Sequence, residues 1–171
     1  KIKLRYVHGT VEFKNVSYHY PESNEKVINN FSLHVEPGDC VAFVGASGSG
    51  KSTIMNMIIG FLNATEGEIL IDGKPIEALD LRTYRHFLSV VPQNSILFSG
   101  TIKENIVYGL KSYSEKRLEQ VIDLANIREF VDKLPDGINI MVEEHGGNLS
   151  GGQKQRISIA RALMRDPKII I

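Results

Sequence analysis

Residues 45–53, with the sequence GASGSGKST, limit what this chain can fold into more than any other segment. They fit the pattern G-x-x-x-x-G-K-[ST], in which a glycine-rich loop surrounds phosphate groups with backbone N–H groups. A loop of this kind connects a strand to a helix. The residues on either side of the pattern therefore decide whether it marks a phosphate-binding loop.

Both flanks of this phosphate loop (residues 45–53) have the expected character. Residues 40–45 (CVAFVG) are apolar and end in glycine, which predicts a buried strand. A helix N-terminus carries unpaired N–H groups and a partial positive charge, so we expect an anion to bind at the bend. The helix itself is predicted at about residues 52–61, because apolar residues recur there at helical spacing: Ile54, Met57, Ile58, Phe61 and Leu62.

The polar side chains of the phosphate loop have distinct expected roles. Lys51 is expected to reach the β- and γ-phosphates of a nucleotide, Ser52 to give a hydroxyl to Mg²⁺, and Thr53 to offer a hydroxyl or N–H group to a phosphate. The glycines let the backbone approach the phosphates closely. The alternative is a Gly/Ser-rich turn with an incidental lysine. The expected phosphate-binding set is Gly45, Ser47, Gly48, Ser49, Gly50, Lys51, Ser52 and Thr53.

A second glycine motif lies at residues 149–153, with the sequence LSGGQ, which we call the signature segment. Ser150 and Gln153 have the spacing of a capping box, which predicts that a helix begins here. Gly151 and Gly152 would present bare N–H groups at its N-terminus and form a second anion site. The alternative is an ordinary capped helix. The following apolar residues repeat at helical spacing: Ile157, Ala160, Leu163 and Met164.

Together the two motifs, separated by about 100 residues, resemble the nucleotide-binding domain of ATP-binding cassette (ABC) transporters. The resemblance extends over nearly all of residues 11–171, and SILFSGTIKENIVYG resembles the exporter-type subgroup. It implies that Tyr20 stacks on adenine and that Val27 contacts the base or ribose. It also implies that Gln93 approaches Mg²⁺ and the attacking water and contacts a transmembrane partner.

The fold class implied by the resemblance is an α/β P-loop NTPase (ABC ATPase) core, with an antiparallel β subdomain and a helical subdomain that carries the signature segment. Residues 1–10 would be a linker and residues 11–171 the ATP-binding domain, C-terminally incomplete. Within it we expect the nucleotide-binding core and β subdomain at 11–93, the helical lobe at 94–165 and the start of a further strand at 166–171.

Local patterns place the individual elements. Alternating apolar residues predict a strand at 11–20, with a phase change near Lys14 and Asn15 that indicates a bulge. Further strands are predicted at 31–35, 68–71 and 88–91, and helices at 101–107, 114–125 and 127–134.

Residues 168–171 (KIII) resemble the start of the strand that, in the family, leads to an Asp-Glu pair. Of the family's hydrolytic groups the chain contains only Lys51 and Gln93, whereas the catalytic Glu and the switch His would lie further on. We expect the parent protein to hydrolyse ATP and these 171 residues alone not to turn it over appreciably. Without the next strand we also expect exposed apolar surface and either lower stability or pairing with another chain.

The resemblance implies a head-to-tail dimer in which ATP on one copy is capped by Ser150, Gly151, Gly152 and Gln153 of a second nucleotide-binding domain. That second domain could be identical or different. The other implied partner is a transmembrane domain, which would place the chain at the cytoplasmic face of the cell membrane. Exporters usually carry an acidic residue at the position aligned with Met141. The alternative function is a regulatory or degenerate ABC module without physiological turnover.

Length and composition limit the number of domains, the kinds of partner and the means of membrane attachment. The length of 171 residues suits one domain, and a formal net charge of zero gives no broad basic surface, so no nucleic-acid partner is expected. The single cysteine, Cys40, is predicted to be a packed core residue. No run approaches about 18 apolar residues, so we expect membrane attachment to come from a partner or from a region preceding residue 1.

Overall fold

The computed structural model describes residues 1–23, 25–143 and 146–171. It divides into two compact units, residues 1–88 and residues 89–171. Glu144 lies outside the described residues, so only Glu143 of the acidic pair that follows Met141 has a described position, and it is exposed.

The first unit is built on a four-stranded antiparallel sheet. Its strands are β1 (Val11–Tyr18), β2 (Ile28–Val35), β3 (Glu66–Ile71) and β4 (Lys74–Pro75), in the order β2-β1-β3-β4. The predicted antiparallel β subdomain is therefore present, with β2 and β3 beginning earlier than expected. Its core is formed by the buried face of the sheet, which includes Val11, Phe13, Val16, Ile69 and Ile71.

The predicted bulge in β1 is confirmed. The pairing of β1 with β2 shifts register between Phe13 and Val16, and Asn15 has a φ of 49°. On the neighbouring strand Gly67 faces the bulge, where an added Cβ would lie 2.4 Å from the carbonyl oxygens of both Lys14 and Asn15. A glycine at this point of β3 is thus required by the close approach of the β1 backbone.

Helix α1 (Lys51–Ile59) follows the phosphate loop, and its C-terminus is held by side chains from later in the unit. The buried hydroxyl of Tyr84 donates to Ile58 O at 2.8 Å. Arg85 donates to Ile59 O at 3.1 Å and to Gly60 O at 3.0 Å. A cation at the carbonyl end of a helix also opposes the negative end of its dipole. Tyr84 and Arg85, around the short helix α2 (Leu81–Tyr84), therefore anchor the helix that carries Lys51.

The prediction of a buried strand at residues 40–45 is wrong. These residues form neither strand nor helix, Val44 is 93% exposed, and Cys40 is an exposed free cysteine rather than a core residue. An apolar strand is stable when neighbouring strands pair its N–H and C=O groups. Within the described ranges no strand pairs with this segment, and its closest aromatic contact joins Phe43 to Phe31 at 6.3 Å between ring centroids.

The second unit is mainly helical. Its helices are α3 (Ile102–Ile106), α4 (Glu115–Leu124), α5 (Arg128–Val131) and α6 (Gly151–Met164), close to the predicted positions but shorter. Helix α6 contributes Ile157, Ala160 and Met164 to a buried core. The other central members of that core come from α3, α4 and α5 and the turn between the last two: Ile102, Ile106, Leu118, Val121, Ile122, Ile127, Phe130 and Val131.

Two short strand pairs complete the second unit. Strand β6 (Gly100–Thr101) pairs with β7 (Met141–Val142), and β5 (Leu88–Ser89) pairs with β8 (Ile169–Ile170). The strand predicted at 168–171 is therefore present, whereas the one predicted at 88–91 is confined to its first two residues. Among all described helices, none combines the length and the apolarity that crossing a bilayer demands.

Candidate functional site

The phosphate loop wraps around the N-terminus of α1. A turn closes it, with Ser49 N donating to Ala46 O at 3.2 Å. Gly48 and Gly50 have φ values of 83° and 89°, in the left-handed region that L side chains rarely adopt. Gly50 is the N-cap of α1, so no side chain caps the helix, and its first turn contains no acidic residue. The first N–H groups of α1 are left without a side-chain acceptor, which suits them to an anion.

Lys51 lies over the same loop. Its ammonium group donates to Gly45 O at 2.8 Å, to Ala46 O at 2.7 Å and to Ser49 Oγ at 3.2 Å. An added Cβ at Gly45 would lie 2.7 Å from Ser49 Oγ, so any larger residue there would displace the Ser49 hydroxyl from the Lys51 ammonium. The carbonyl contacts hold a positive charge beside the bare N-terminus of α1. A phosphate oxygen could exchange for these neutral acceptors with a gain in strength, because charge-assisted hydrogen bonds are stronger.

The loop forms one wall of an open cavity of about 350 Å³ in the first unit. Gly45 and Ser49 do not line it but support Lys51, and the remaining predicted nucleotide-binding residues of this unit do line it. These lining residues are Tyr20, Val27, Ser47, Gly48, Gly50, Lys51, Ser52 and Thr53. The structure thus brings the residues after β1 together with the phosphate loop, as the resemblance predicts.

Tyr20 lies at this cavity with its ring partly open to solvent. The ring meets Tyr18 edge to face, with centroids 5.0 Å apart, and its hydroxyl is 3.2 Å from Thr53 Oγ1. Tyr20 is 42% exposed, so a flat ligand has access to the ring. Val27, half-buried, lies beside Gly50, where an added Cβ would be 3.4 Å from Val27 Cγ1. An aromatic face and a small apolar side chain therefore lie next to the phosphate loop.

The cavity offers no complete metal site of its own. No group of three His, Cys, Asp or Glu side chains able to hold a metal occurs in the ranges that the structure describes. The exposed residue Ser52 supplies a hard hydroxyl oxygen on the cavity wall. This donor set fits Mg²⁺ that arrives with a polyphosphate, because Mg²⁺ keeps waters and phosphate oxygens and needs few protein ligands.

A second candidate site lies at the N-terminus of α6 in the second unit. The predicted capping box is present: Gln153 N donates to Ser150 Oγ at 3.2 Å, and Ser150 N donates to Gln153 Oε1 at 2.9 Å. A Cβ added to Gly151 or Gly152 would meet no atom within 4 Å, so the signature segment faces open space. It adjoins an open cavity of about 410 Å³ lined by Glu129, Phe130, Lys133, Leu134, Ser150, Gly152, Gln153 and Arg156.

The α5 side of this second cavity was not predicted from the sequence. Arg156 donates to Glu129 at 2.6 Å and to Asn126 O at 3.1 Å, which ties α6 to the start of α5. The hydrogen bond from Arg156 lowers the pKa of the exposed Glu129 carboxyl. A basic residue three positions after Gln153 was the available sequence signal, but it does not identify its acidic partner. The exposed Lys133 gives this cavity a further cation.

Gln93 is exposed and lies in the second unit, just after β5. The segment that follows it is fixed by Asn105, whose side chain accepts from Phe98 N at 2.8 Å and donates to Phe98 O at 2.8 Å. Arg161 of α6 donates to Asn105 O at 2.8 Å and to Ile96 O at 3.0 Å. The helix of the signature segment and the segment after Gln93 therefore belong to one hydrogen-bonded network.

Substitution of Gly50 by alanine tests the phosphate-loop geometry. The new Cβ would require a φ of 89° and would lie 2.5 Å from Ile28 Cδ1, so we expect the free energy of unfolding to fall by at least about 1–2 kcal/mol. Urea denaturation measures this change. Gly151→Ala is the matched control, because its Cβ would meet open space in a helical conformation. Equal stability of both variants would contradict the described loop.

Comparisons with known proteins agree with this arrangement. A sequence profile described as "ABC transporter" matches residues 28–171. The ABC multidrug transporter atrD of Emericella nidulans is 48% identical over 172 residues, which is 99% of this chain and 13% of that protein. The ATP-dependent lipid A-core flippase of Bordetella avium is 45% identical over 166 residues, which is 96% of this chain and 28% of that protein.

A solved structure with the same fold is that of a bacterial Atm1-family ABC exporter with ATP bound. It has a TM-score of 0.85 and 39% sequence identity, and the match covers 98% of this chain and 30% of that chain. The match confirms the predicted ABC ATPase fold. The chain therefore spans less than a third of the length of each of these three proteins.

Proposed function

The chain belongs to the ABC transporter family, and we propose that it is the ATP-binding domain of an exporter-type transporter. The observation that carries this proposal is the cavity in which the Lys51 ammonium, the uncapped N-terminus of α1 and the ring of Tyr20 occur together. A cation and bare N–H groups suit a polyphosphate, and an accessible aromatic face suits a base. A cavity with both features indicates a nucleoside triphosphate more specifically than a phosphate site or an aromatic ring would alone.

At the phosphate end, Lys51 binds the β- and γ-phosphates, and the loop N–H groups together with Thr53 bind the remaining oxygens. Ser52 holds the Mg²⁺ that accompanies ATP. A role for Gln93, which lies in the second unit, rests on the family resemblance alone. Bound Mg²⁺ neutralises negative charge on the β- and γ-phosphates. At the other end Tyr20 stacks on adenine and Val27 contacts the base or ribose. The support is the shared cavity wall and the agreement with the family pattern.

The signature segment is proposed to act on a nucleotide bound to a second copy or to a related domain. Gly151 and Gly152 are exposed and Ser150 presents its hydroxyl at a helix N-terminus, so these groups are accessible to a γ-phosphate that approaches from outside. ATP between the two domains would favour their association by mass action. Gln153 closes the capping box and fixes the helix start.

In the complete transporter this dimer is proposed to lie at the cytoplasmic face of the membrane and to drive export through a transmembrane domain. None of the described residues that line the Lys51 cavity is Asp, Glu or His, so its wall holds no carboxylate or imidazole that could activate water. We propose that the 171 residues alone bind ATP without appreciable turnover.

Met141, which takes the place of the usual acidic residue, is 59% exposed on β7 and is available to a partner.

The alternative is a regulatory or degenerate module that binds ATP without physiological turnover. Both the phosphate-loop motif and the signature motif are intact. This favours an active ATPase, because a degenerate site can lose either motif. Transport-coupled ATP hydrolysis by the complete protein, with and without Lys51→Ala, separates the two. Hydrolysis unaffected by the substitution, or no hydrolysis by the unmodified protein, favours the regulatory module.

Replacement of Tyr20 by alanine tests the proposed orientation of the nucleotide. Base stacking on an aromatic side chain contributes about 1–3 kcal/mol, so we expect ATP affinity to fall by about 5- to 150-fold. Affinity for inorganic tripolyphosphate, which has no base, should change less than about twofold. Calorimetric titration of both ligands measures the difference, with the exposed Tyr113→Ala of the second unit as control. An equal loss for the two ligands would contradict stacking on Tyr20.

A further inference from the structure

The hydroxyl of Tyr20 joins the proposed base-stacking platform to the helix of the phosphate loop. Tyr20 Oη and Thr53 Oγ1 are 3.2 Å apart, although the residues are separated by 33 positions in the sequence. Thr53 is only 4% exposed, whereas Tyr20 is 42% exposed. An exposed aromatic side chain is thus attached to a buried hydroxyl.

The position of Thr53 makes its hydroxyl a firm anchor. A β-branched side chain in a helix has few rotamers, and this one is buried in the first turn of α1. The helix is in turn held at its other end by Tyr84 and Arg85. The ring of Tyr20 also meets Tyr18, which is itself buried, at a centroid distance of 5.0 Å. Two contacts, one at the ring and one at the hydroxyl, therefore restrain the side chain of Tyr20.

We propose that Thr53 is a positioning residue for the base: its hydroxyl holds the ring of Tyr20 in the orientation in which adenine stacks. This inference rests on the proposed function and extends it, because it gives Thr53 a role at the base end of the nucleotide. A ring that is already oriented loses less conformational entropy when the base binds. The hydroxyl can also serve both ends at once, since it can accept from Tyr20 and donate to a phosphate oxygen.

A phosphate oxygen accepts hydrogen bonds and cannot donate them, so binding of the triphosphate selects one direction for this chain of hydroxyls. Thr53 then donates to the phosphate, and Tyr20 donates to Thr53. The contribution of the base to affinity therefore depends on Thr53 Oγ1, and the effects of removing the two hydroxyls are not additive.

The test uses the ratio of ATP affinity to tripolyphosphate affinity, measured by calorimetric titration with Mg²⁺, because this ratio isolates the contribution of the nucleoside. Tyr20→Phe keeps the ring and removes the hydroxyl, and Thr53→Val keeps the shape and removes the hydroxyl. Each should lower the ratio by about two- to tenfold, the effect of one neutral hydrogen bond. The double variant should lower it no further, and Thr53→Ser, which keeps the hydroxyl, should restore it.

The outcomes separate this inference from the proposed function. If unmodified protein binds ATP more tightly than tripolyphosphate but Thr53→Val leaves the ratio unchanged, the positioning role is overturned and the proposed function stands. Additive effects of the two substitutions would also overturn it. If the unmodified protein binds neither ligand, both proposals fail. Circular dichroism verifies folding, and Thr53→Ala replaces Thr53→Val if the latter does not fold.

Discussion

Substitution of Lys51 by alanine is expected to weaken ATP binding by at least about a hundredfold. The ammonium group is the cation that contacts the phosphate loop, with acceptors at 2.7–3.2 Å, and it lines the cavity beside the helix N-terminus. Each hydrogen bond from a charged group contributes about 1.5–3 kcal/mol, and Lys51 is expected to make more than one to the triphosphate. Equilibrium binding of a fluorescent ATP analogue measures the loss.

Two controls limit the interpretation of this result. Lys74→Ala removes an exposed lysine of the same unit that does not line the cavity, and it should leave ATP affinity unchanged. Lys51→Arg keeps the charge but changes its shape, so an intermediate affinity is expected. The acceptors of Lys51 in Gly45, Ala46 and Ser49 are exposed and can accept from water instead, so the unfolding free energy of Lys51→Ala should change by less than about 1 kcal/mol. Wild-type affinity in the alanine variant would refute the phosphate assignment.

Substitution of Gly152 by aspartate should abolish ATP-dependent association of two copies while leaving the fold intact. A carboxylate in the first turn of α6 interacts favourably with the helix dipole, and a Cβ added at Gly152 would meet no atom within 4 Å. The same carboxylate would face the γ-phosphate of the nucleotide on the other copy. Like charges brought together across an interface cost several kcal/mol, so we expect a loss of at least about a hundredfold in dimer affinity.

Sedimentation of the protein with Mg²⁺ and a non-hydrolysable ATP analogue measures this association, and thermal unfolding measures stability. The matched control is Gln155→Asp, which adds the same charge to the same helix away from the cavity. We expect Gly152→Asp to remain monomeric with a melting temperature at or slightly above that of the unmodified protein. If Gly152→Asp dimerised normally, it would contradict the proposal that the signature segment contacts the nucleotide bound to a second copy.

The sequence was most informative where function and local structure require the same residues. The capping box at Ser150 and Gln153 is a short-range feature, so spacing alone predicts where α6 begins. Apolar spacing likewise predicted the start of α1 to within one residue. The bulge in β1 was likewise readable from a change in apolar phase near Asn15. These features depend on residues a few positions apart, so they can be predicted without knowledge of the tertiary fold.

Features that depend on distant partners were not predicted. The strand predicted at residues 40–45 is absent because a strand needs hydrogen-bonded neighbours, which composition does not supply. The anchoring of α1 by Arg85 joins residues 25 or 26 positions apart, and the pairing of Arg156 with Glu129 joins residues 27 apart. In each case the residue types are common on protein surfaces, so nothing in the sequence singles out the partner.

The two cavities were predicted unequally for the same reason. The glycine and lysine positions of the Lys51 cavity follow from the phosphate-loop pattern, and the family resemblance added Tyr20 and Val27. The link between Tyr20 and Thr53 could not be foreseen, because it depends on the path of the chain between β1 and α1. At the second cavity the signature segment was recognised, whereas Phe130 and Lys133 appear only when α5 is packed beside α6.

A crystal structure of the protein with Mg²⁺ and a non-hydrolysable ATP analogue tests the central claim most directly. The account predicts that the triphosphate lies against the backbone N–H groups of residues 48–53, with the Lys51 ammonium moved from the carbonyl oxygens of Gly45 and Ala46 to the phosphates and the adenine against Tyr20. An empty phosphate loop with the nucleotide bound elsewhere on the protein would contradict it.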